Sequence, residues 1–342
     1  MNCIEGKVLT RQGFKNGYIL LKNTENPTIH FGTSSKSSAE KSLIIPTFVN
    51  AHTHIGDTFI REKNISLPHN IEQLVAPPNG LKHTLLNKTD DPVILHGIIH
   101  GLQELRQEGI STFIDFRENG INGIHLLKKA LDQIPLQSMI LGRPKKHNFS
   151  STEINTLLQH SDGIAISSLE DMEYDTISQI VEQTKKKNKK FALHTSERIR
   201  EPIDPVLSLQ PDFIVHMNQA SKKDLEKVKD QKIPIVVCPR SNHFFGLKPN
   251  LIRMKQTGNK IFLGTDNFMF HPPSIIKEIQ FIQANLPNLF SIEELFLMST
   301  YNVRKDLNLK DNIPGSTLPK TWIVLNPNNY QIKTILKKVE EG

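Results

Sequence analysis

Pro46 to His54, PTFVNAHTH, is the stretch from which the rest of the chain is read. An apolar, β-rich run leads without a break into two histidines one residue apart. In extended backbone, residues i and i+2 point to the same side, so the imidazoles of His52 and His54 face one point. Neutral imidazoles converging in this way suit zinc and other first-row divalent metals. Barrel enzymes assemble their sites from the C-terminal ends of several strands, so further strands ending in polar groups are the next thing to find.

Outward from this stretch, apolar β-rich runs alternate with amphipathic helical runs. Strands are expected at Leu43 to Val49, Ser111 to Phe116, Leu136 to Leu141, Gly163 to Ser167, Phe191 to Leu193, Phe213 to Val215, Ile233 to Val237 and Ile261 to Leu263. Between them lie helical patterns such as Pro92 to Gln107, Thr176 to Lys187 and Ser274 to Ala284, with apolar residues at three and four spacing. Eight such strands predict an α/β fold, a (β/α)8 TIM barrel over residues 43–312. The connection Arg198 to Pro211 is short and carries prolines, which predicts a reduced helix. Ahead of Leu43 and after Ile313 the chain reads as short strands with turns, so residues 1–42 and 313–342 are expected to build one small composite β-sheet domain. Thr33 to Ser42, TSSKSSAEKS, reads as an exposed loop.

Composition is that of a folded enzyme-sized body: 342 residues, 37% hydrophobic and 23% charged. The first ten residues include Glu5 and Lys7 and have no apolar run of leader length, and no stretch reaches the roughly 18 apolar residues of a spanning helix. A cytoplasmic protein without a membrane partner is expected. Cys3 and Cys238 are too few for a disulfide framework. The formal charge is +7, but its densest cluster, TKKKNKK at Thr184 to Lys190, lacks interleaved aromatics and sits where a helix gives way to a strand. It reads as wet surface, and a small molecule, not nucleic acid, is the expected partner.

Three later strands end in polar groups: FALHTSE at Phe191 to Glu197, FIVHMN at Phe213 to Asn218 and IFLGTDN at Ile261 to Asn267. With His52 and His54, the positions His194, His216 and Asp266 resemble, in order and spacing, the amidohydrolase superfamily and its deaminase-like branch. The resemblance covers about residues 40 to 325 and includes CPRSN at Cys238 to Asn242, similar to a motif of the guanine deaminase and triazine hydrolase relatives. Binuclear members place a lysine at the end of the fourth strand, whereas this strand reads GIAISSLED. The resemblance therefore implies one divalent metal held by His52, His54, His194 and Asp266. Zinc is the expected ion, and iron(II) and manganese also fit such a set.

The resemblance also implies roles. A cation bound by three imidazoles and a carboxylate lowers the pKa of its water towards neutrality. Asp266 accepts the water proton, His216 orients the attacking oxygen and stabilises the tetrahedral intermediate, and Glu197 of the HxxE stretch passes a proton to the ring nitrogen or leaving group. Substrate contacts are expected from Lys82 and His83 in the loop after the first strand, and from Arg240, Asn242, His243 and Asn267. The implied reaction is hydrolytic deamination of a heterocyclic amine of nucleobase, pterin or triazine type, with ring opening of a cyclic amide as its competitor on the same residues. A catalytically silent barrel binding metal or nucleic acid is the alternative of another class. A homodimer fits this kind of barrel.

Other patterns have plainer readings. His96 and His100 are spaced as in a zinc-protease helix but lack its glutamate, and His30, His69, His125, His147, His160 and His271 have no ligand partners at useful spacing. Asp115 and Arg117, in FIDFRE, read as a supporting ion pair. No GxSxG elbow, Walker A loop or GxGxxG follows a strand, and Cys238 has no nearby cysteine for the PCxxC type of zinc deaminase.

Overall fold

A computed structural model describes residues 2–21, 26–34, 41–76, 79–145, 148–309 and 320–341. Positions 35–40 of the expected loop, Pro77 and Pro78, His147, and positions 313–319 lie outside the described residues. The chain folds as two compact units, one of Met1–Val49, Leu105–Thr112 and Ile275–Gly342, the other of Asn50–Glu104 and Phe113–Ser274.

Both chain ends enter a seven-stranded sheet in the first unit, as their short β runs predict. Its order is Ile332–Leu336, Trp322–Leu325, Ser42–Pro46, Asn2–Thr10, Gly13–Leu21, Thr28–Phe31 and Glu340–Glu341. Asn2–Thr10 and Gly13–Leu21 form an antiparallel hairpin across a two-residue turn. Gly13, at φ +110°, takes a conformation that a side chain would strain. Val8, Ile19, Ile29, Ile44, Trp322, Val324 and Leu336 point into one core. The apolar run Leu43 to Val49, expected as one strand, is two. Ser42–Pro46 belongs to this sheet, and a new strand starts at Phe48. The break falls at Thr47, whose hydroxyl lies 2.7 Å from that of Ser111 and 2.8 Å from that of Thr321.

The second sheet is the (β/α)8 barrel. Its strands are β1 (Phe48–His54), β2 (Ile110–Arg117), β3 (Gln137–Gly142), β4 (Gly163–Ile166), β5 (Lys190–Thr195), β6 (Phe213–His216), β7 (Ile235–Val237) and β8, which comes in two pieces, Ile261–Leu263 and Asp266–Asn267. The first piece of β8 pairs in parallel with β7 and the second with β1, so the ring closes within a single strand. At the break, Gly264 N donates to Val237 O (3.0 Å) and Thr265 N to His52 O (3.2 Å). The Asn50 side chain clasps the same place, donating to Thr265 Oγ1 at 2.7 Å and accepting from Thr265 N at 3.0 Å. A Cβ at position 264 would lie 2.9 to 3.0 Å from the Cβ, N and O of His52. Gly264→Ala is therefore expected to cost about 1–3 kcal/mol through overpacking beside the first histidine. Urea unfolding measures this, and an unchanged midpoint would contradict it.

The reduced helix expected after β5 is Ile203–Ser208, six residues long. The lysine run is largely tied down. Lys185 donates to Leu209 O, Lys189 to Ser161 O and Lys190 to Asp212, each at 2.7 Å. Among the described residues no helix is long and apolar enough to cross a membrane.

Candidate metal and active site

Strand ends bring the separated polar residues together. His52 Nε2 lies 3.1 Å from His194 Nε2 and 3.3 Å from Asp266 Oδ1, and His54 Nε2 lies 3.5 Å from the same oxygen. A tetrahedral ion with ligand bonds of about 2.0–2.2 Å has ligand-to-ligand edges of about 3.3–3.6 Å. The two contacts to Asp266 match such edges and the His52–His194 contact is somewhat shorter, and a donor set of three imidazoles and a carboxylate suits a zinc-type ion. His216 closes one face, its ring 5.0 Å from that of His194. Atoms of Glu197, His216 and Asp266 also lie within 4.8 Å of one another. Phe116, fully buried on β2, supports the group from below, edge-on to His52 at 4.5 Å and stacked on His194 at 5.1 Å.

Electrostatics suit metal binding. Burial, reinforced by Lys82 and His52, pushes His54 down to about 3 against the pull of Glu118. Burial and the other three imidazoles hold His194 well below the usual histidine range. Rings that stay neutral keep lone pairs to donate. For Asp266, burial favours the neutral acid, but the hydrogen bond and charge interactions with His52, followed by those with His54 and His216, win and hold its carboxyl well below the carboxylate range. Glu197 goes the other way. Burial, with Asp266 and Glu201, raises it despite His216.

The residues on these strand ends are held by neighbours from adjacent loops. Glu201 accepts from Ser168 Oγ at 2.9 Å, Thr195 Oγ1 at 2.8 Å and Ser196 N at 2.5 Å, fixing the turn that carries Glu197. Glu197 Oε1 is 3.5 Å from His216 Nε2. Ser241 donates to Asp266 Oδ2 at 2.5 Å, and Asn242 Nδ2 lies 3.2 Å from His216 Nδ1. Ser196, His216 and Asp266 all have positive φ, at 49°, 76° and 58°. Such conformations cost about 1–3 kcal/mol each and persist where the surroundings enforce them, as these hydrogen bonds do.

The site opens into a cavity of about 620 Å³ lined by His54, His194, Glu197, His216 and Asp266. Of the residues expected to meet substrate, Lys82 and Asn267 are on its wall, while His83, Arg240, Asn242 and His243 are not. His83 bonds Val75 O at 3.0 Å and lines a neighbouring cavity of about 310 Å³. Lys82 is buried, its ammonium 2.7 Å from Asp57 and 2.5 Å from Glu118. Asp115 and Arg117 form the expected pair at 3.3 Å. At the end of β4, where binuclear relatives carry lysine, Ser167 and Ser168 line the cavity. Phe116, Glu118, Arg143, Glu201 and Ser241 escaped the sequence reading. Glu118 carried a signal, standing directly after Arg117 at the active end of β2.

Fold and site together define an α/β barrel with a candidate metal-binding cluster of histidines and an aspartate. The model of the amidohydrolase family matches residues 43–204. Over 330 residues the chain is 36% identical to an uncharacterized protein of Methanocaldococcus jannaschii, covering 90% of this chain and 82% of that one. It is 25% identical to the 5-methylthioadenosine/S-adenosylhomocysteine deaminase of Pyrococcus horikoshii, covering 80% and 72%. Among solved structures, an adenosine deaminase from Xanthomonas campestris with bound zinc superposes with a TM-score of 0.74 at 14% identity, over 98% of this chain and 91% of that one. The chain is 31% identical to a putative aminohydrolase of Archaeoglobus fulgidus, covering 82% of this chain and 79% of that one, and it belongs to the amidohydrolase family as a hydrolase of carbon–nitrogen bonds other than peptide bonds.

Proposed function

We propose that this protein is a mononuclear, zinc-dependent deaminase of heterocyclic amines. The observation that carries the reading is the placement of Glu197 and His216, 3.5 Å apart, on a cavity wall shared with His54, His194 and Asp266 and backed by the buried His52. When bound, the metal would acidify a water towards neutrality. Asp266 is poised to take the proton, being held ionised beside the imidazoles. His216 stands where it can hydrogen-bond the oxygen that develops charge during attack. Glu197, with its pKa raised, holds a proton at a pH where an ordinary glutamate has lost it, which suits delivery to a ring nitrogen or to the departing amine.

A planar substrate is supported by the aromatic side of the cavity. Phe245 and Phe270 line it at 5.2 Å edge to face, and Phe244 backs Phe270 in a 4.3 Å stack. Stacking of this kind contributes about 0.5–1.5 kcal/mol. Phe270→Ala should accordingly raise KM about 3- to 10-fold with a smaller change in kcat, as read from steady-state kinetics on the substrate found. The cavity leaves room for a substituent on the ring, in keeping with the nucleoside substrates named for the Pyrococcus relative. Asn267, which also lines the cavity, can meet polar groups of the substrate. The test is ammonia release by the zinc-loaded protein from aminopurines and their nucleosides, aminopyrimidines, pterins and aminotriazines, beside cyclic amides followed for ring opening. Ammonia from one of the first group is expected. Ring opening without ammonia would replace deamination by the cyclic amide reaction.

A further inference from the structure

His54 presents its two nitrogens to two different carboxylates. Nε2 faces Asp266 Oδ1 at 3.5 Å, inside the proposed metal shell, and Nδ1 faces Glu118 Oε1 at 2.6 Å. Glu118 is not a member of that shell. It is nearly fully buried just beyond β2, and both its oxygens are held by cations. Lys82 Nζ lies 2.5 Å from Oε1, and Arg117 NH2 lies 2.9 Å from Oε2. Lys82 is itself braced by Asp57 at 2.7 Å, and Arg117 by Asp115 at 3.3 Å. Asp115 in turn accepts from Thr53 Oγ1 and from Ile55 N, each at 2.8 Å, and so is tied to the residues on either side of His54.

We propose that Glu118 is a positioning residue for the metal centre, selecting through His54 which imidazole nitrogen is free to bind the ion, with Lys82 as the clamp that fixes Glu118 in place. A carboxylate flanked by a lysine and an arginine can only accept hydrogen bonds. A nitrogen lone pair facing a carboxylate oxygen at 2.6 Å would be repelled, so the single proton of a neutral imidazole belongs on Nδ1, where it meets Glu118 in a close electrostatic contact that is not aligned as a hydrogen bond. That leaves the lone pair on Nε2, the nitrogen that points at Asp266. A histidine seated by a carboxylate on its other nitrogen has a fixed ring orientation and a more basic ligand atom, and losing such a partner typically weakens metal affinity about 10- to 100-fold. Lys82 acquires its role in the same way. It lines the substrate cavity, but its ammonium donates to Glu118 and is ion-paired with Asp57, so the charge it brings to the wall is committed to holding Glu118.

The inference rests on the proposed metal site but not on any substrate. The test is the zinc affinity of the chelator-stripped full chain, measured by competition with a chromophoric chelator for wild type, Glu118→Gln, Glu118→Asp and Lys82→Met. Circular dichroism melts establish that each metal-free variant is folded. Glu118→Gln should bind zinc about 10- to 100-fold more weakly than wild type, Glu118→Asp should recover part of the loss, and Lys82→Met should fall between Glu118→Gln and wild type. A folded Glu118→Gln variant with wild-type zinc affinity overturns the proposal and leaves the metal site standing. A wild-type chain that takes up no zinc overturns both. Should Glu118→Gln fail to fold, nitrogen-15 spectra of histidine-labelled, metal-free wild type decide the matter, with His54 assigned by its loss in His54→Asn. A proton on Nδ1 of His54 supports the positioning role, and a proton on Nε2 overturns it.

Discussion

Asp266→Ala and His194→Ala should each lose the metal and turnover together. Both side chains stand against His52 Nε2, at 3.1 Å for His194 and 3.3 Å for Asp266, close enough to share one ion with it. Removing either leaves the proposed shell with three donors and an open side on the cavity wall, where water is a weaker ligand than an imidazole or a carboxylate. In the proposed mechanism Asp266 has a second task, as the base that takes the proton of the attacking water. Loss of a metal that supplies several kcal/mol of transition-state stabilisation corresponds to a fall in turnover on the order of 10³-fold or more. Metal analysis beside an ammonia assay separates the outcomes. If either variant keeps a full equivalent of metal and wild-type kcat, the ligand set is wrong.

Glu197→Gln should behave differently, keeping the metal and losing the chemistry. Glu197 lines the cavity beside His216, and its oxygen stands outside the set of edges that define the ligand shell. General acid–base groups contribute about 10²- to 10⁴-fold, so kcat should drop by that factor with metal content unchanged. The pH dependence carries a sign. Burial and the neighbouring Asp266 and Glu201 raise the Glu197 pKa above the ordinary glutamate value, so the protonated donor persists to higher pH than usual and is lost as pH rises through that value. An alkaline limb in kcat is expected for wild type and should vanish from the residual activity of Glu197→Gln. A variant that loses metal along with activity would make Glu197 a ligand or a structural support instead of a proton carrier.

The parts of this site that were legible in the sequence are those written within a single strand. The alternation of PTFVNAHTH places His52 and His54 on one side, and FALHTSE, FIVHMN and IFLGTDN each put their polar group directly after an apolar strand. Asp115 and Arg117, two residues apart on β2, were legible as a pair for the same reason. What escaped is written between strands. Glu118 matters through Lys82, 36 residues away, and Ser241 through Asp266 on another strand, and neither spacing has a local pattern. Phe116 reads as ordinary core until His52 and His194 are seen resting on it. Lys82 was legible as a residue of the site but not as one whose charge is already committed to Asp57 and Glu118.

Fold boundaries failed at handovers, where hydrophobicity stays constant while the pairing partner changes. Leu43 to Val49 reads as one apolar run, and its only mark of the handover is Pro46-Thr47, where the seven-stranded sheet ends and β1 begins. In β8, Gly264 and Thr265 look like the end of a strand. They are instead the crossing point at which its pairing passes from β7 to β1, and this crossing sets Asp266 beside Thr53, between the two metal-facing histidines.

The most direct test of the whole reading is the metal content of the wild-type protein purified without chelator, measured by inductively coupled plasma mass spectrometry. The spacing of His52, His54, His194 and Asp266, with serines in place of a lysine at the end of β4, predicts close to one equivalent of zinc per chain. Two equivalents, or none after anaerobic reconstitution with zinc, iron(II) and manganese in turn, would contradict it.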